Sequence, residues 1–295
     1  MNERLDKMLD DARIDSAELE RLVEIALAED LRFGTDVTSG ATISSDQRSE
    51  AAVVARQPGI ACGVPVALAV LEVVHFPQSG ITIVHQDGDV VGANDVLIHL
   101  SGALRPLLLA ERTLLNFMTH MSGVATATNA WVCALEGTSC QVRDTRKTTP
   151  GLRQLEKYAV RCGGGTNHRM GLGDAALIKD NHIAAAGGIT RAIAAIRAAD
   201  PDISLEVECD TLAQVGEALD AGCSLILLDN MSIEMIRSAV AMVRRSPGVR
   251  TEASGGMTLD NAGAVARAGV DYIAVGSLTH SVVALDLGLD ILPTD

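Results

Sequence analysis

Aromatic residues are scarce in this chain of 295 residues, where phenylalanine, tyrosine and tryptophan together make up only 2%. Hydrophobic residues still make up 47%, so the core must be built mainly from aliphatic side chains. With so few rings the protein has little with which to stack on bases, and its net charge of −14 repels a phosphate backbone. We therefore expect a small substrate and no nucleic-acid partner.

Disulfide patterns and long apolar runs are also missing. The six cysteines show no CxxC spacing and are too sparse for a disulfide framework, which favours reduced thiols. No apolar run reaches the roughly 18 residues of a membrane helix. The N-terminal stretch MNERLDKMLDDARID is charged throughout, unlike a signal peptide. The sequence predicts a soluble cytoplasmic protein without a membrane partner.

Positive charge, sparse elsewhere, is concentrated between Arg143 and Lys179. This segment holds eight basic residues against three acidic ones, and three of the four lysines of the chain fall inside it. A local cluster of cations in an acidic protein is typical of a site for a small polyanion.

Short apolar runs alternate with helical patterns from about residue 139 onward, and Ser232 is a plausible N-cap for one of the helices. This rhythm predicts a parallel sheet of about six βα units, a barrel or near-barrel. Most of the runs end in polar or glycine residues, and the carboxyl ends of parallel strands form the binding face of such folds. Before residue 120 the pattern differs: helices are predicted for residues 17–29 and 107–135, with β-like stretches between them.

The cationic segment offers several candidate ligands for an anion. Arg146 and Lys147 follow a short strand, and Pro150 can begin the next helix. The triple glycine at 163–165 indicates a loop that carries His168 and Arg169 over the binding face. Arginine presents a planar fork suited to carboxylate and phosphate groups. Three further cations are spaced by four along one predicted helix, and they either contribute to the pocket or form a solvated face: Arg153, Lys157 and Arg161.

Carboxylates end two of the predicted strands, Glu208 in LEVEC and Asp229 in LLDN. An acid at such a position can bind a sugar hydroxyl, hold Mg²⁺ directly or through water, or stabilise positive charge on carbon. It can also simply pair with a lysine of a neighbouring strand. Alternation places Glu206 on the same side as Glu208, and the sequence does not separate their roles.

Glycine-rich turns follow the last two predicted strands, at residues 254–256 and 276–277. Backbone N–H groups in such turns can bind a phosphate, and barrels often place a phosphate site after their late strands. A tight turn would explain either glycine group equally well.

Together these segments resemble the quinolinate phosphoribosyltransferase family nearly from end to end. The resemblance rests on AEDLRFGTDVTS and ERTLLNFMTHMSGVATAT in the first half, and then on DTRKTTPGLR, KYAV, GGGTNHRMGLGDAALIKDNH, EVEC, LLDN, EASGG and VGSLTHS. It departs from the family pattern only in GTDVTS, a variant form, and in Ser277, where alanine is also common.

The resemblance implies an α/β protein with an N-terminal α/β sandwich domain at 1–118 and an incomplete, open α/β TIM-like barrel at 119–278. The C-terminal tail, 279–295, would pack on the N-terminal domain. It further implies a homodimer, or a higher oligomer built from dimers, in which each active site takes residues from the partner.

The implied reaction transfers phosphoribosyl from phosphoribosyl pyrophosphate (PRPP) to quinolinate in NAD biosynthesis, with Mg²⁺, and releases nicotinate mononucleotide, pyrophosphate and carbon dioxide. Carried over by motif, Lys179, Glu208 and Asp229 are the catalytic residues, and Glu208 and Asp229 also serve the metal directly or through water. The residues implied to bind substrate are Arg112 from the partner, Thr145, Arg146, Lys147, His168, Arg169, Lys179, Glu208 and Asp229. Those implied to bind phosphate are Ser254, Gly255, Gly256, Val275, Gly276 and Ser277.

Two alternative functions remain open from the residues. Lys179 ends a predicted barrel strand, where a Schiff-base aldolase could place its lysine. The chain could also be a metabolite-binding paralogue that keeps the pocket without turnover. The crowd of other cations disfavours an aldolase, and the intact Lys179, Glu208 and Asp229 disfavour a non-catalytic protein.

Overall fold

The computed structural model describes residues 2–292. The helices are α1 (Glu3–Ala12), α2 (Ser16–Leu31), α3 (Val37–Thr42), α4 (Val64–Val73), α5 (Leu104–Ala134), α6 (Arg153–Cys162), α7 (Asp180–Ala186), α8 (Ile189–Ala199), α9 (Leu212–Asp220), α10 (Ile233–Val243), α11 (Leu259–Arg267) and α12 (Ser277–His280). The strands are β1 (Arg48–Ala55), β2 (Gly59–Ile60), β3 (Ile81–Ile83), β4 (Val90–Val91), β5 (Val96–Ala103), β6 (Gln141–Arg143), β7 (Ala176–Ile178), β8 (Leu205–Cys209), β9 (Leu225–Asp229), β10 (Arg250–Ser254), β11 (Tyr272–Ala274) and β12 (Leu287–Ile291).

The described chain forms two compact units. The first takes in the chain up to Asn129, the segment Thr149–Gly164 and the chain from Ser281 onward. The second takes in Ala130–Thr148 and Gly165–His280. The helices predicted for residues 17–29 and 107–135 are confirmed as α2 and α5.

An antiparallel sheet organises the first unit, with strand order β12-β1-β5-β3. The edge strand β12 lies within residues 279–295, and its Leu289 is paired with Val53 of β1. Helix α4 is apolar all round, and every residue from Val64 to Leu71 is buried. Helices α1 and α2 both contact α4, so the apolar helix forms part of the core, as expected for a helix without a polar face.

Helix α6 belongs to the first unit although it follows β6 in the chain. The Tyr158 hydroxyl donates to Asp87 at 2.8 Å, and His120 Nε2 lies 2.9 Å from Glu156 Oε1. Lys157 is fully buried, so α6 does not present a solvated cationic face. The first unit is therefore made of three separate segments of the chain. The sequence predicted two segments for it, residues 1–118 and the tail 279–295, and did not include the segment that contains α6.

The start of α6 also differs from the sequence prediction. The helix begins at Arg153 and not at Pro150. Gly151 has a φ of +83°, a left-handed conformation that a right-handed helix cannot include, so the helix starts only beyond it.

The second unit is built on a six-stranded parallel sheet with order β6-β11-β10-β9-β8-β7. Four of the five residues of the central strand β9 are buried, which explains why LILLD reads as a continuous apolar run. Strands β6 and β7 are the outer strands of this sheet, so the described barrel is open.

Helices connect the strands of this sheet, and polar side chains cap several of them. The Ser232 hydroxyl accepts from Met235 N–H at 3.3 Å, which confirms Ser232 as the N-cap of α10. Strand then helix, repeated with every strand parallel, confirms the predicted α/β class with an open TIM-like barrel. Among the described residues, no helix combines the length and the apolar character needed to cross a membrane.

The Asp87 carboxylate ties three parts of the first unit together. It accepts from the N–H groups of Gly63 and Val64 at 3.0 and 2.9 Å and from the Tyr158 hydroxyl at 2.8 Å. Burial raises the pKa of Asp87, and these accepted hydrogen bonds oppose the rise.

We expect Asp87→Ala to lower the free energy of unfolding by about 2 to 4 kcal/mol, because it leaves three donors without their acceptor. Tyr158→Phe removes one hydrogen bond and should cost about 1 kcal/mol. Urea unfolding followed by circular dichroism measures both. An equal loss of unfolding free energy in the two variants would show that the N-terminus of α4 does not depend on Asp87.

Candidate functional site

A cavity of about 630 Å³ lies in the second unit, where the parallel strands end. Its lining comes from five strands of the sheet, β7 to β11, and from residues that follow β6 and several of the other strands. Parallel strands bring their carboxyl ends to one edge, so side chains distant in sequence meet there. Ten of the predicted site residues line this cavity: Thr145, Arg146, Lys147, His168, Arg169, Lys179, Glu208, Asp229, Ser254 and Gly255.

The other five predicted site residues do not line the cavity. Arg112 is exposed on α5, in the part of that helix that belongs to the first unit. The remaining four follow β10 and β11, three of them in the turns and Ser277 as the first residue of α12: Gly256, Val275, Gly276 and Ser277. The cations of α6 do not line the cavity either.

Two arginines form the cationic side of the cavity. The Nε atoms of Arg146 and Arg169 are buried and have no hydrogen-bond partner among the described residues. Arg169 is held through Nη1, which donates to the Ala175 carbonyl at 2.9 Å. Burial lowers the pKa of Arg169, and the nearby charge of Arg146 lowers it further. Two guanidinium groups that repel each other in a partly buried site would be stabilised by an anion between them.

The loop that carries His168 and Arg169 is fixed from the end of β6. Thr166 N–H donates to the Val142 carbonyl at 2.9 Å, continuing the sheet. Asp144 accepts from Asn167 Nδ2 at 2.5 Å and from His168 N–H at 2.9 Å. The loop after the triple glycine is therefore held against the strand that presents Arg146.

Carboxylates form a second group of lining residues. Lys179 Nζ lies 3.4 Å from Glu208 Oε2, and Asp229 Oδ2 accepts from Asn230 Nδ2 at 2.6 Å. Burial raises the pKa of Glu208, Lys179 opposes this, and the charge of Asp229 adds to it. A raised carboxylate pKa beside a second carboxylate is typical of a site that receives a positive group.

The turn after β10 requires glycine at one position. A Cβ atom on Gly255 would lie 2.2 Å from Asn230 Oδ1 and 2.9 Å from Asn230 N, and the residue has a φ of +81°. In the next turn, Val275 N–H donates to the Arg143 carbonyl at 2.9 Å, and Thr279 Oγ1 donates to the Lys147 carbonyl at 2.8 Å. Both turns are thus packed against the loops that bear site residues.

A buried polar cluster lies at the inner end of the cavity. His168 Nε2 is 2.6 Å from Glu206 Oε2 and 4.0 Å from Glu252 Oε1, and Arg143 Nη1 is 2.6 Å from Glu252 Oε2. The Arg143 guanidinium also stacks 4.3 Å from the Tyr272 ring centroid. Burial and the charge of Glu206 raise the pKa of Glu252 to about 7, although Arg143 and His168 oppose the rise.

The two glutamates of β8 lie in different surroundings. Glu206 and Glu208 share one side of β8, but Glu206 contacts His168 while Glu208 lies at the cavity beside Lys179. Sequence reasoning missed five lining residues, of which two are polar, Glu252 and Asn230. Glu252 could have been found, because it precedes Ser254 by two positions and strand alternation puts both on one side.

Comparison with protein families identifies both halves of the chain. The N-terminal domain of quinolinate phosphoribosyl transferase matches residues 36–122, and the C-terminal domain of the same family matches residues 124–290. Curated relatives agree. The nicotinate-nucleotide pyrophosphorylase [carboxylating] of Mycobacterium leprae is 49% identical over 287 residues, which are 96% of this chain and 100% of the relative. A probable enzyme of the same name from Bacillus subtilis is 41% identical over 93% of each chain.

Solved structures show the same likeness. The nicotinate-nucleotide pyrophosphorylase of Francisella tularensis is 38% identical with a TM-score of 0.87, covering 95% of this chain and 98% of that one. The Ehrlichia chaffeensis enzyme is 39% identical with a TM-score of 0.87, covering 95% and 99%. The resemblance inferred from motifs is thereby confirmed, and this chain belongs to the quinolinate phosphoribosyl transferase family.

Proposed function

We propose that the cavity of the second unit transfers the phosphoribosyl group of PRPP to quinolinate, with loss of carbon dioxide, to form nicotinate mononucleotide for NAD synthesis. Family membership supports a phosphoribosyltransferase of quinolinate metabolism. The observation that carries the assignment to this cavity is the pair of buried, unpartnered Nε atoms on Arg146 and Arg169, in the same cavity as Glu208 and Asp229. One side of the cavity suits an acidic ring and the other suits a sugar that becomes positively charged.

Quinolinate would bind at the cationic side. Arg146 and Arg169 can each present a planar fork to a carboxylate, Lys147 adds charge, and His168 adds a polar ring from the adjoining loop. Thr145 lines the same cavity, and its Oγ1 accepts from Lys147 N–H at 3.0 Å, which shapes the loop after β6. Holding both carboxylates aims the ring nitrogen at the ribose carbon, which lowers the entropic part of the barrier.

PRPP would bind along the acidic side and the glycine turns. Glu208 and Asp229 would hold the ribose, with Lys179 between the substrate and the phosphates. The turns at 254–256 and 275–277 would hold the 5′-phosphate. Gly255 and Gly256 have φ values of +81° and +61°, so the backbone of the first turn is in a conformation that can expose N–H groups to an anion.

The acidic side also fits a magnesium ion. Glu208 and Asp229 line one cavity, and Mg²⁺ is commonly bound by one or two carboxylates together with substrate phosphates and water. Both supply hard oxygen ligands, as this ion requires. Bound there with PRPP, Mg²⁺ would supply positive charge that offsets the charge of pyrophosphate as it leaves.

The chemistry needs no protein nucleophile. As the bond between the ribose carbon and pyrophosphate breaks, positive charge develops on that carbon, and Glu208 and Asp229 stabilise it. The ring nitrogen of quinolinate donates its electron pair to the carbon and becomes a pyridinium. The carboxylate next to that nitrogen then leaves as carbon dioxide, its bonding electrons remain on the ring carbon, and a proton from solvent replaces it.

A homodimer with shared sites would complete the cavity. Arg112 is exposed on α5. Apolar side chains that are unusually exposed for a single chain are also present in the first unit, with Phe33 93% and Val37 77% exposed. Both features support a partner subunit. A cytoplasmic location, for which six free cysteines are suitable, stays a prediction.

Neither alternative function gains support. Lys179 is paired with Glu208 at 3.4 Å, and two arginines line the same cavity. Schiff-base formation by a lysine does not require such a cluster of cations. The two curated relatives named above are nicotinate-nucleotide pyrophosphorylases, and no Schiff-base chemistry is needed to explain the site. A non-catalytic paralogue is disfavoured because Lys179, Glu208 and Asp229 all line the cavity.

We expect the purified protein to convert quinolinate and PRPP to nicotinate mononucleotide and pyrophosphate in the presence of Mg²⁺. Liquid chromatography of the nucleotide measures the product, and a chelator added in excess should abolish its formation. Nicotinate, which has one carboxylate fewer, should be a far poorer substrate because it leaves cations unpaired. Absence of product with a folded protein would refute the proposal.

Arg146→Ala and Lys147→Ala should each raise the KM for quinolinate roughly 10- to 100-fold, because each removes a charged partner of a substrate carboxylate. Steady-state kinetics with each substrate varied in turn measures this. Arg237→Ala, at an exposed position on α10, is the matched control and should leave both KM values unchanged. If the two cavity variants bind quinolinate as the parent does, the cationic side has been misassigned.

Arg112→Ala and Lys179→Ala chains should each be inactive alone but recover activity when mixed by refolding. If each site takes Arg112 from one subunit and Lys179 from the other, a random mixture should reach about a quarter of the parental rate, since half the dimers carry one intact site. Refolding each variant by itself is the control. A mixture no more active than its components would show that the sites are not shared.

A further inference from the structure

Asn230 contacts two groups that are proposed to bind PRPP. It directly follows Asp229, the last residue of β9, and lines the cavity beside that acid. Ser254 and Gly255, which end and follow the neighbouring strand β10, line the same cavity. Asn230 therefore lies where the acid proposed to hold the ribose meets the turn proposed to hold the 5′-phosphate.

The backbone of Asn230 links the two strands. Its N–H donates to the Ser254 carbonyl at 3.0 Å, one residue beyond the last β9–β10 pair, Asp229 with Ser254. Asn230 has a φ of +52°, in the left-handed region. Asparagine enters this region more readily than most residues that have a side chain, and glycine does so at still lower cost. The backbone therefore accounts for asparagine or glycine at this position, but it does not account for the amide.

The amide side chain makes a contact toward each strand. Nδ2 donates to Asp229 Oδ2 at 2.6 Å, a hydrogen bond that restrains rotation of the carboxylate. Toward β10 the amide packs against Gly255, where an added Cβ atom would collide with both Oδ1 and Cγ of Asn230. The Asn230 amide thus occupies the space that a side chain at position 255 would need.

PRPP imposes a geometric requirement on these two groups. Its ribose and its 5′-phosphate are covalently joined, so the acid and the turn must be a fixed distance apart to bind both at once. A misplacement of about 1 Å in such a site can cost roughly 100-fold in rate. Asn230 touches Asp229 through Nδ2 and the turn through its N–H and its amide, so it can maintain that distance.

We propose that Asn230 is a positioning residue for PRPP, which holds the Asp229 carboxylate and the turn at Gly255 in the one arrangement that receives the ribose and its 5′-phosphate together. The inference rests on the proposed function of the cavity. It gives Asn230 no part in breaking or forming a bond, and its effect should fall on PRPP and not on quinolinate.

Asn230→Gly tests the proposal because it removes the amide while glycine keeps the left-handed backbone and its N–H. We expect PRPP to bind roughly 10-fold more weakly, because Asp229 and the turn lose the group that holds them together. Isothermal titration calorimetry with PRPP and Mg²⁺ measures the dissociation constant without turnover. The KM for quinolinate should change little, because the arginines of the cationic side are not altered.

Asn94→Gly is the matched control. Asn94 is also an exposed asparagine with a left-handed φ, +73°, and it lies in the first unit. The substitution is chemically the same, so PRPP should bind to this variant as it does to the parent. An equal loss of PRPP affinity in the two variants would overturn the proposal.

A double-mutant cycle separates positioning from a merely structural role. If Asn230 acts partly through Asp229, then Asn230→Gly should weaken PRPP binding less in a chain that already carries Asp229→Ala than in the parent. An equal effect of Asn230→Gly with and without Asp229 would overturn the proposal. So would a rise in the KM for quinolinate as large as the loss of PRPP affinity.

The parent protein distinguishes failure of this inference from failure of the proposed function. A folded parent that neither binds PRPP nor forms nicotinate mononucleotide would refute the proposed function and the inference with it. A parent that binds PRPP, and an Asn230→Gly variant that binds it equally well, would overturn the inference alone.

Discussion

The constraint on which this site depends is the parallel alignment of six strands whose carboxyl ends meet at one edge. That alignment places Arg146 and Arg169 together, where burial and mutual repulsion lower the pKa of Arg169. It also places Glu208 and Asp229 together, where burial and like charge raise the pKa of Glu208. Each pair of like charges lacks a partner of opposite charge. A ligand with acidic groups at one end and developing positive charge at the other would supply both partners.

Depth along the strands adds a second level to this arrangement. Positions that alternate to the same side of a strand lie at successive depths, so Glu208 faces the cavity while Glu206 contacts His168 below it. Strand β10 differs in that Ser254 and Glu252 both line the cavity, and Glu252 is also paired with Arg143. The groups proposed to touch the substrates thus rest on a buried layer of charged groups.

Much of the fold and site was predictable because it depends on local pattern. Alternating apolar runs and helical segments predicted the parallel sheet, and residues at the ends of those runs predicted the cavity lining. The placement of α6 was not predictable, because chain order puts it between two barrel strands while its contacts through Tyr158 and Glu156 lie in the first unit. The first residue of α6 was predicted wrongly because the preference of proline for the first turn of a helix does not take into account the left-handed conformation of Gly151.

The roles of buried charged residues were the hardest to read from the sequence. Glu206 and Glu208 are two residues apart and chemically identical, so only the partners across the sheet distinguish them. Lys157 is fully buried, an outcome that spacing along a helix does not indicate. Motif resemblance compensated for these gaps, since long matched segments predicted a family that the comparisons confirmed.

A crystal structure of the protein with quinolinate bound tests the central claim most directly. The account predicts that quinolinate occupies the cavity of the second unit with its carboxylates within hydrogen-bond distance of the Arg146 and Arg169 guanidinium groups and its ring nitrogen directed toward Glu208 and Asp229. Quinolinate bound elsewhere, or bound in this cavity with its carboxylates directed away from both arginines, would contradict it.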